Sequence, residues 1–152
     1  MRLTTKIDPR SPDFDRKGFN RALITEYRAN NGTLTTTLPE AALLLLTTVG
    51  TRSGRPHTTP LGYILDGSPD RIVVFASNLA SAAHPDWYRN LVANPRVTVE
   101  LGADRFDAAA STTAGPERER LYQALIDEIP SIRDHQGQTS REIPVVLLRA
   151  VR

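Results

Sequence analysis

A chain of 152 residues, 39% hydrophobic and 24% charged, is long enough for one domain with a sizeable core and too apolar to be disordered. The absence of cysteine excludes a disulfide framework, a thiolate nucleophile and a cysteine-ligated metal, and no apolar run approaches the ~20 residues of a membrane-spanning helix. A formal net charge of +2, with scattered arginines and with Lys6 and Lys17 as the only lysines, argues against nucleic acid as a partner.

No charged head followed by an apolar segment opens the chain, so the cytoplasm is the expected compartment. Residues 1–11 are polar and expected to form a loose arm, leaving 12–152 as a single domain. Phe14, Phe19, Ala22, Leu23 and Tyr27 recur at helical spacing and predict a helix from Pro12 to Asn30, stopped by Asn30-Asn31-Gly32. Ala42 to Val49 is a buried strand, with His57 to Leu65 as its hairpin partner. A strong turn, Asp66-Gly67-Ser68-Pro69-Asp70, leads into a third strand from Arg71 to Ser77.

Asn78 to Ala83 is a small-residue loop, and Pro85 to Ala93 a short helix ended by Asn94-Pro95. Arg96 to Leu101 alternates as a strand, turns at Gly102-Ala103-Asp104 and pairs with Arg105 to Thr113. Pro116 to Glu128 is amphipathic, with Leu121, Leu125 and Ile129 on one face, and Ile143 to Ala150 closes the chain as a strand. Six strands joined largely by hairpins predict a mainly β, α+β fold: an antiparallel barrel with helical decoration.

The densest chemistry lies between the first two strands, in Gly50-Thr51-Arg52-Ser53-Gly54-Arg55-Pro56-His57-Thr58-Thr59-Pro60. A tight turn bearing backbone amides, hydroxyls and two guanidinium groups suits a phosphate, although the same residues also describe a solvated hairpin. That the preceding strand enters a hairpin rather than a helix argues against a nucleotide-binding βαβ unit. A second group, Ser77-Asn78-Leu79 followed by His84-Pro85-Asp86-Trp87-Tyr88-Arg89-Asn90-Leu91, places the only tryptophan at a helix start. There it either flanks a flat ring or seals the barrel end with Leu91. His57, His84 and His135 fit no metal-ligand spacing, so no metal is expected, and His84 before Pro85 is read as capping or orienting its loop. No Gly-x-Ser-x-Gly elbow supports hydrolase chemistry.

These motifs, in this order and separation, resemble the deazaflavin-dependent nitroreductase family, split-barrel oxidoreductases that use coenzyme F420. The resemblance runs from about residue 12 to 150. It takes in Thr47-Thr48-Val49-Gly50, Arg52-Ser53-Gly54-Arg55-Pro56, Thr59-Pro60-Leu61, Asp66-Gly67 and Val74-Phe75-Ala76-Ser77. It continues through His84-Pro85-Asp86-Trp87-Tyr88, Asn90-Leu91, Ala93-Asn94-Pro95 and Thr139-Ser140-Arg141-Glu142-Ile143-Pro144-Val145-Val146.

The resemblance implies an FMN-binding-like split β-barrel with the deazaflavin across its face. Arg52, Ser53 and Gly54 would hold its phosphate and acidic tail, with Arg55 or Arg89 at the pocket mouth and His57 in the same turn. Thr58, Thr59 and Pro60 would line the ring edge. Ser77, Asn78 and Leu79 would pass beside ring and phosphate, and Trp87, Tyr88 and Asn90 would close the site.

Thr51, His57 and Asn78 stand where relatives often carry Arg or Lys, which weakens the grip on a polyanionic tail. Ile129, Ile132, His135 and Gln138 replace acceptor-side aromatics, and Gly62 replaces another, although Tyr63 follows it. The implied reaction is hydride transfer from reduced deazaflavin to a small electron-poor acceptor: a quinone, an activated alkene or a nitro compound. Ser77 and Tyr63 are the first candidates for proton donor and His135 the third, histidine being the side chain that ordinarily titrates near neutrality. The alternatives are a non-catalytic carrier of deazaflavin or an apolar ligand, and an FMN-binding barrel. Loose membrane association and the choice between monomer and homodimer stay open.

Overall fold

The computed structural model describes residues 15–39, 41–77 and 83–152. The expected arm at 1–11, the start of the first helix, and Asn78 and Leu79 lie outside the described residues. Helix α1 (Arg16–Ala29) begins where Asp15 Oδ1 accepts the Gly18 amide at 3.0 Å, a side-chain cap on an otherwise orphaned donor. It ends where Asn31 turns to a φ of 53°, as the Asn-Asn-Gly run predicts.

Seven strands follow: β1 (Leu43–Val49), β2 (Pro56–Gly62), β3 (Ile64–Leu65), β4 (Arg71–Phe75), β5 (Arg96–Leu101), β6 (Asp104–Thr112) and β7 (Val145–Ala150). Helix α2 (Asp86–Ala93) lies between β4 and β5, while α3 (Gly115–Glu128) and α4 (Ser131–Gly137) lie between β6 and β7. All pairings are antiparallel, in the order β2-β1-β5-β6-β7-β4-β3.

β2 and β3 occupy opposite edges of this sheet, yet only Tyr63 separates them in the chain. Neighbouring Cα atoms lie ~3.8 Å apart, so the sheet must curl until its two edges meet at Tyr63. The single strand expected from His57 to Leu65 is therefore two. Its first half pairs with β1 up to Leu43↔Gly62, and its second pairs with β4 through Ile64↔Val73. A continuous run would satisfy one neighbour only; the bend serves both and makes the barrel.

Apolar patterning explains the layers. Leu44, Leu45 and Leu46 in β1 are all 0% exposed, because the strand is covered on both faces. Leu44 and Leu46 point into the barrel with Ile72, Val74, Val99, Val146 and Leu148. Leu45 points outward to Leu23 and Tyr27 of α1. On the opposite wall Val73, Val145 and Leu147 face outward to Leu121, Leu125 and Ile132 of α3 and α4. Tyr27 pins α1 in place: its hydroxyl lies 3.0 Å from Leu43 O and accepts the Gly102 amide at 2.8 Å.

Two further boundaries differ from expectation. The third strand stops at Phe75, because the Ser77 amide donates back to Phe75 O at 2.9 Å and peels the chain off the sheet. The last strand starts at Val145, since the Ile143 amide is taken by Gln136 Oε1 at 2.9 Å rather than by a strand neighbour.

Candidate functional site

The β1–β2 ladder closes at Val49↔Pro56, and residues 50–55 form the turn beyond it. The Gly50 amide donates to Arg55 O at 2.8 Å, and the Gly54 amide to Gly50 O at 3.0 Å. Ser53 Oγ accepts the Arg55 amide at 3.1 Å. One glycine is required by its backbone and a second leaves room for two side chains. Gly54 has a φ of 69°, and a Cβ on Gly50 would fall 2.7 Å from both His57 Nε2 and Ser53 Oγ.

Asn90, 6% exposed, fastens the turn to α2: its Nδ2 donates to Thr48 Oγ1 at 3.1 Å and its Oδ1 accepts the Thr51 amide at 3.3 Å. Thr47 and Thr58 bridge the two strands, hydroxyl to hydroxyl, at 2.8 Å. The turn is thus held from within and from below while its arginines project freely.

Beside it opens a cleft of about 750 Å³, within the usual ~300–1,000 Å³ of ligand sites. Its walls include Arg52, Ser53, His57, Thr58 and Thr59 from the hairpin, Trp87 and Asn90 from α2, and Lys17 and Asn20 from α1. Among the described residues Arg52 and Lys17 have no hydrogen-bonded or ionic partner, whereas Asp86, the cleft's acidic residue, is paired with Arg89. The cleft carries uncompensated positive charge and a surplus of donors. Trp87 is only 7% exposed and packs with Leu91 in the barrel core, so it forms a wall rather than a free stacking plate.

A second cluster gathers where β4 ends. Ser77, 8% exposed, places its Oγ 3.0 Å from His135 Nδ1 of α4. His84 Nδ1 accepts from Arg141 Nη1 at 3.1 Å; arginine only donates, so the proton of a neutral His84 ring sits on Nε2. Burial, then the charges of Arg141 and Arg89, push the His84 pKa down and keep that ring neutral. The His84 ring lies 4.9 Å from that of Tyr88, whose hydroxyl meets Thr112 Oγ1 at 2.9 Å. Helix α2 and the residue before its Pro85 cap touch both clusters, through Asn90 at the cleft and His84 at the strand end.

Of the residues singled out from the sequence, Arg52, Ser53, His57, Thr58, Thr59, Trp87 and Asn90 are brought together around one cleft. Gly54 and Arg55 shape its turn through backbone bonds, and Pro60 lies in β2 opposite Leu45. Ser77 and His135, 58 residues apart, meet. Tyr63 is not brought to the turn. It follows the Leu43↔Gly62 pair, six register steps or ~20 Å along the hairpin, and packs half-buried against the barrel core.

Lys17, Asn20 and Arg141 were missed. The polar face of the first helix and the Ser-Arg-Glu-Ile-Pro stretch were the available signals, but neither says what it faces. His84 precedes the Pro85 cap and is itself held by Arg141 at its ring and by Arg89 at its carbonyl.

Residues 19–150 match the family model described as F420H(2)-dependent quinone reductase. An F420H(2)-dependent quinone reductase of Mycobacterium tuberculosis is 39% identical over 127 residues, covering 80% of this chain and 83% of that protein. A solved F420-H2 dependent reductase superposes with a TM-score of 0.65 at 31% identity, covering 71% of this chain and 94% of its own. Another structure, described as a domain-swapped dimer, gives 0.67 at 30% identity over 83% of this chain and 94% of its own. A heme storage protein of Vibrio cholerae, 19% identical with a TM-score of 0.56 over 85% of this chain and 88% of its own, shares the fold alone.

Proposed function

This chain belongs to the F420H(2)-dependent quinone reductase family, and from that premise we propose that the cleft beside the 50–55 turn grips the anionic part of coenzyme F420 while the Ser77–His135 pair serves the acceptor. The protein is an oxidoreductase that works with reduced coenzyme F420. The observation that carries the site assignment is the unpaired Arg52 guanidinium in a cleft whose carboxylate is already neutralised by Arg89.

The residues fit the group. Arg52 offers charge-assisted bonds to a phosphate, with Ser53, Thr58 and Thr59 adding hydroxyls and Lys17 a second cation across the cleft. Lys17 makes good part of the charge missing at Thr51 and His57. Asn90 and the internal amide bonds hold the turn in shape, and such preorganisation lowers the cost of binding. The bound coenzyme supplies a hydride.

A quinone that accepts a hydride becomes an oxyanion and needs one proton to reach the quinol. Ser77 Oγ donates that proton and regains one through its hydrogen bond with His135 Nδ1, the ring passing on a proton drawn from solvent. Charge and protons balance across the pair. Ser77 is nearly buried, so the proton is delivered from a site that excludes bulk water.

The test is anaerobic oxidation of reduced F420 by a soluble naphthoquinone. Ser77→Ala is expected to lower kcat by about a hundredfold while the coenzyme's Kd, read by fluorescence titration, stays unchanged. A variant as fast as the wild type removes Ser77 from the reaction.

A further inference from the structure

Arg141 lies on no helix or strand, in the segment between α4 and β7, yet its guanidinium reaches two carbonyls and a ring nitrogen at the strand end. Nη1 and Nη2 each lie 3.3 Å from Ala76 O, Nη2 lies 2.5 Å from Ser77 O, and Nη1 reaches His84 Nδ1. These acceptors belong to residues that have left the β4 ladder, which ends at Phe75↔Val145. Half-buried carbonyls without a strand neighbour require another donor. A planar guanidinium can serve several at once in fixed directions, which an ammonium cannot.

The backbone around Arg141 is itself fixed from α4. Gln136 Nε2 donates to Arg141 O at 2.8 Å, and Gln136 Oε1 accepts the Ile143 amide at 2.9 Å. Gln136 is the neighbour of His135 on that helix. A closed ring of contacts results. It runs from Ser77 Oγ to His135, along α4 to Gln136, across to the Arg141 backbone, and through the guanidinium back to Ser77 O.

We propose that Arg141 is the positioning residue of the Ser77–His135 pair: by clamping the carbonyls of Ala76 and Ser77 and the ring of His84, it fixes the direction of Ser77 Oγ. The proposal rests on Ser77 acting as proton donor. Arg141 touches neither quinone nor coenzyme in this account; it acts through Ser77.

A double-mutant cycle of Arg141→Lys and Ser77→Ala in the full-length protein tests it. R141K is expected to lower kcat about tenfold, with the KM for a soluble naphthoquinone and the Kd for F420 each within about twofold of wild type. The double variant is expected to be no slower than S77A alone, since a residue that acts through Ser77 has nothing left to position. Without coenzyme, the ring ¹⁵N shifts of His135 are expected to move in R141K as they do in S77A.

Multiplying effects of the two substitutions, or unchanged His135 shifts in R141K, would overturn the positioning role while leaving the Ser77 reading intact. A normal kcat in S77A would instead sink the Ser77 reading and this proposal with it. Should R141K fail to fold, Gln136→Leu removes the tether alone; the same kcat loss without additivity supports the proposal, and an unchanged kcat contradicts it.

Discussion

Arginines gather at two hairpin turns of this barrel, and they are used in opposite ways. At the β3–β4 turn, Asp66 gathers Arg71 Nε and Nη2 at 3.1 and 3.0 Å, and Arg120 Nη1 and Nη2 at 2.8 and 3.1 Å. At the β1–β2 turn, Arg52 and Arg55 have no carboxylate among the described residues. The difference is an internal counter-ion: where the chain supplies one, arginine fastens α3 to the barrel, and where the described residues supply none, the proposed function gives arginine an anion from outside.

The sharpest way to break this contrast is to truncate one arginine at each place: Arg52 of the first turn, and Arg120, which reaches the second from α3. Arg52→Ala is expected to weaken F420 binding about ten- to a hundredfold, ~1.4–2.8 kcal/mol, with the melting temperature unchanged. Arg120→Ala is expected to leave the Kd where it was. Equal losses in the two variants would erase the distinction.

The paired turn makes its own prediction in acid. Bonds from Arg120 first, and from Arg71, outweigh the opposing effect of burial and hold the Asp66 pKa down from 3.8 to about 2. A depressed carboxylate stabilises the fold above its unfolded pKa and loses that contribution as pH falls through the folded value. Asp66→Asn should therefore lower stability by about 1–2 kcal/mol at neutral pH, and the gap to wild type should close as pH drops from about 4 to about 2. Urea titrations across that range read the gap; one that persists at the acid end would contradict the pairing.

Lys17→Ala should have the smallest effect, a two- to fourfold rise in the F420 Kd at low salt that shrinks as salt is added, as expected of an exposed cation. An unchanged Kd at low salt would remove α1 from the cleft.

Much of the architecture is legible in the chain because local chemistry and final packing agree. The leucine run of β1, the Asp-Gly and Gly-Ala-Asp turns, and the proline and asparagine bounds of α2 each carry their own signal. The break at Tyr63 carries none: His57 to Leu65 is extended throughout, and only the meeting of two sheet edges divides it. Helix α4 escaped because it has seven residues and a single buried anchor, Ile132.

The candidate site divides the same way. The 50–55 turn is contiguous in sequence and could be read as a unit. Ser77, His135 and Arg141 are joined only by folding, 58 and 64 residues apart at their contacts, and no spacing rule links them. Trp87 keeps both of the roles its sequence position offers, since it lines the cleft and, at 7% exposure, also packs in the barrel core.

A crystal structure with F420 bound tests the central claim most directly. The account predicts the coenzyme's phosphate within hydrogen-bonding distance of the Arg52 guanidinium, between the 50–55 turn and α1. Density for the coenzyme elsewhere on the barrel, with Arg52 still turned to solvent, would contradict it.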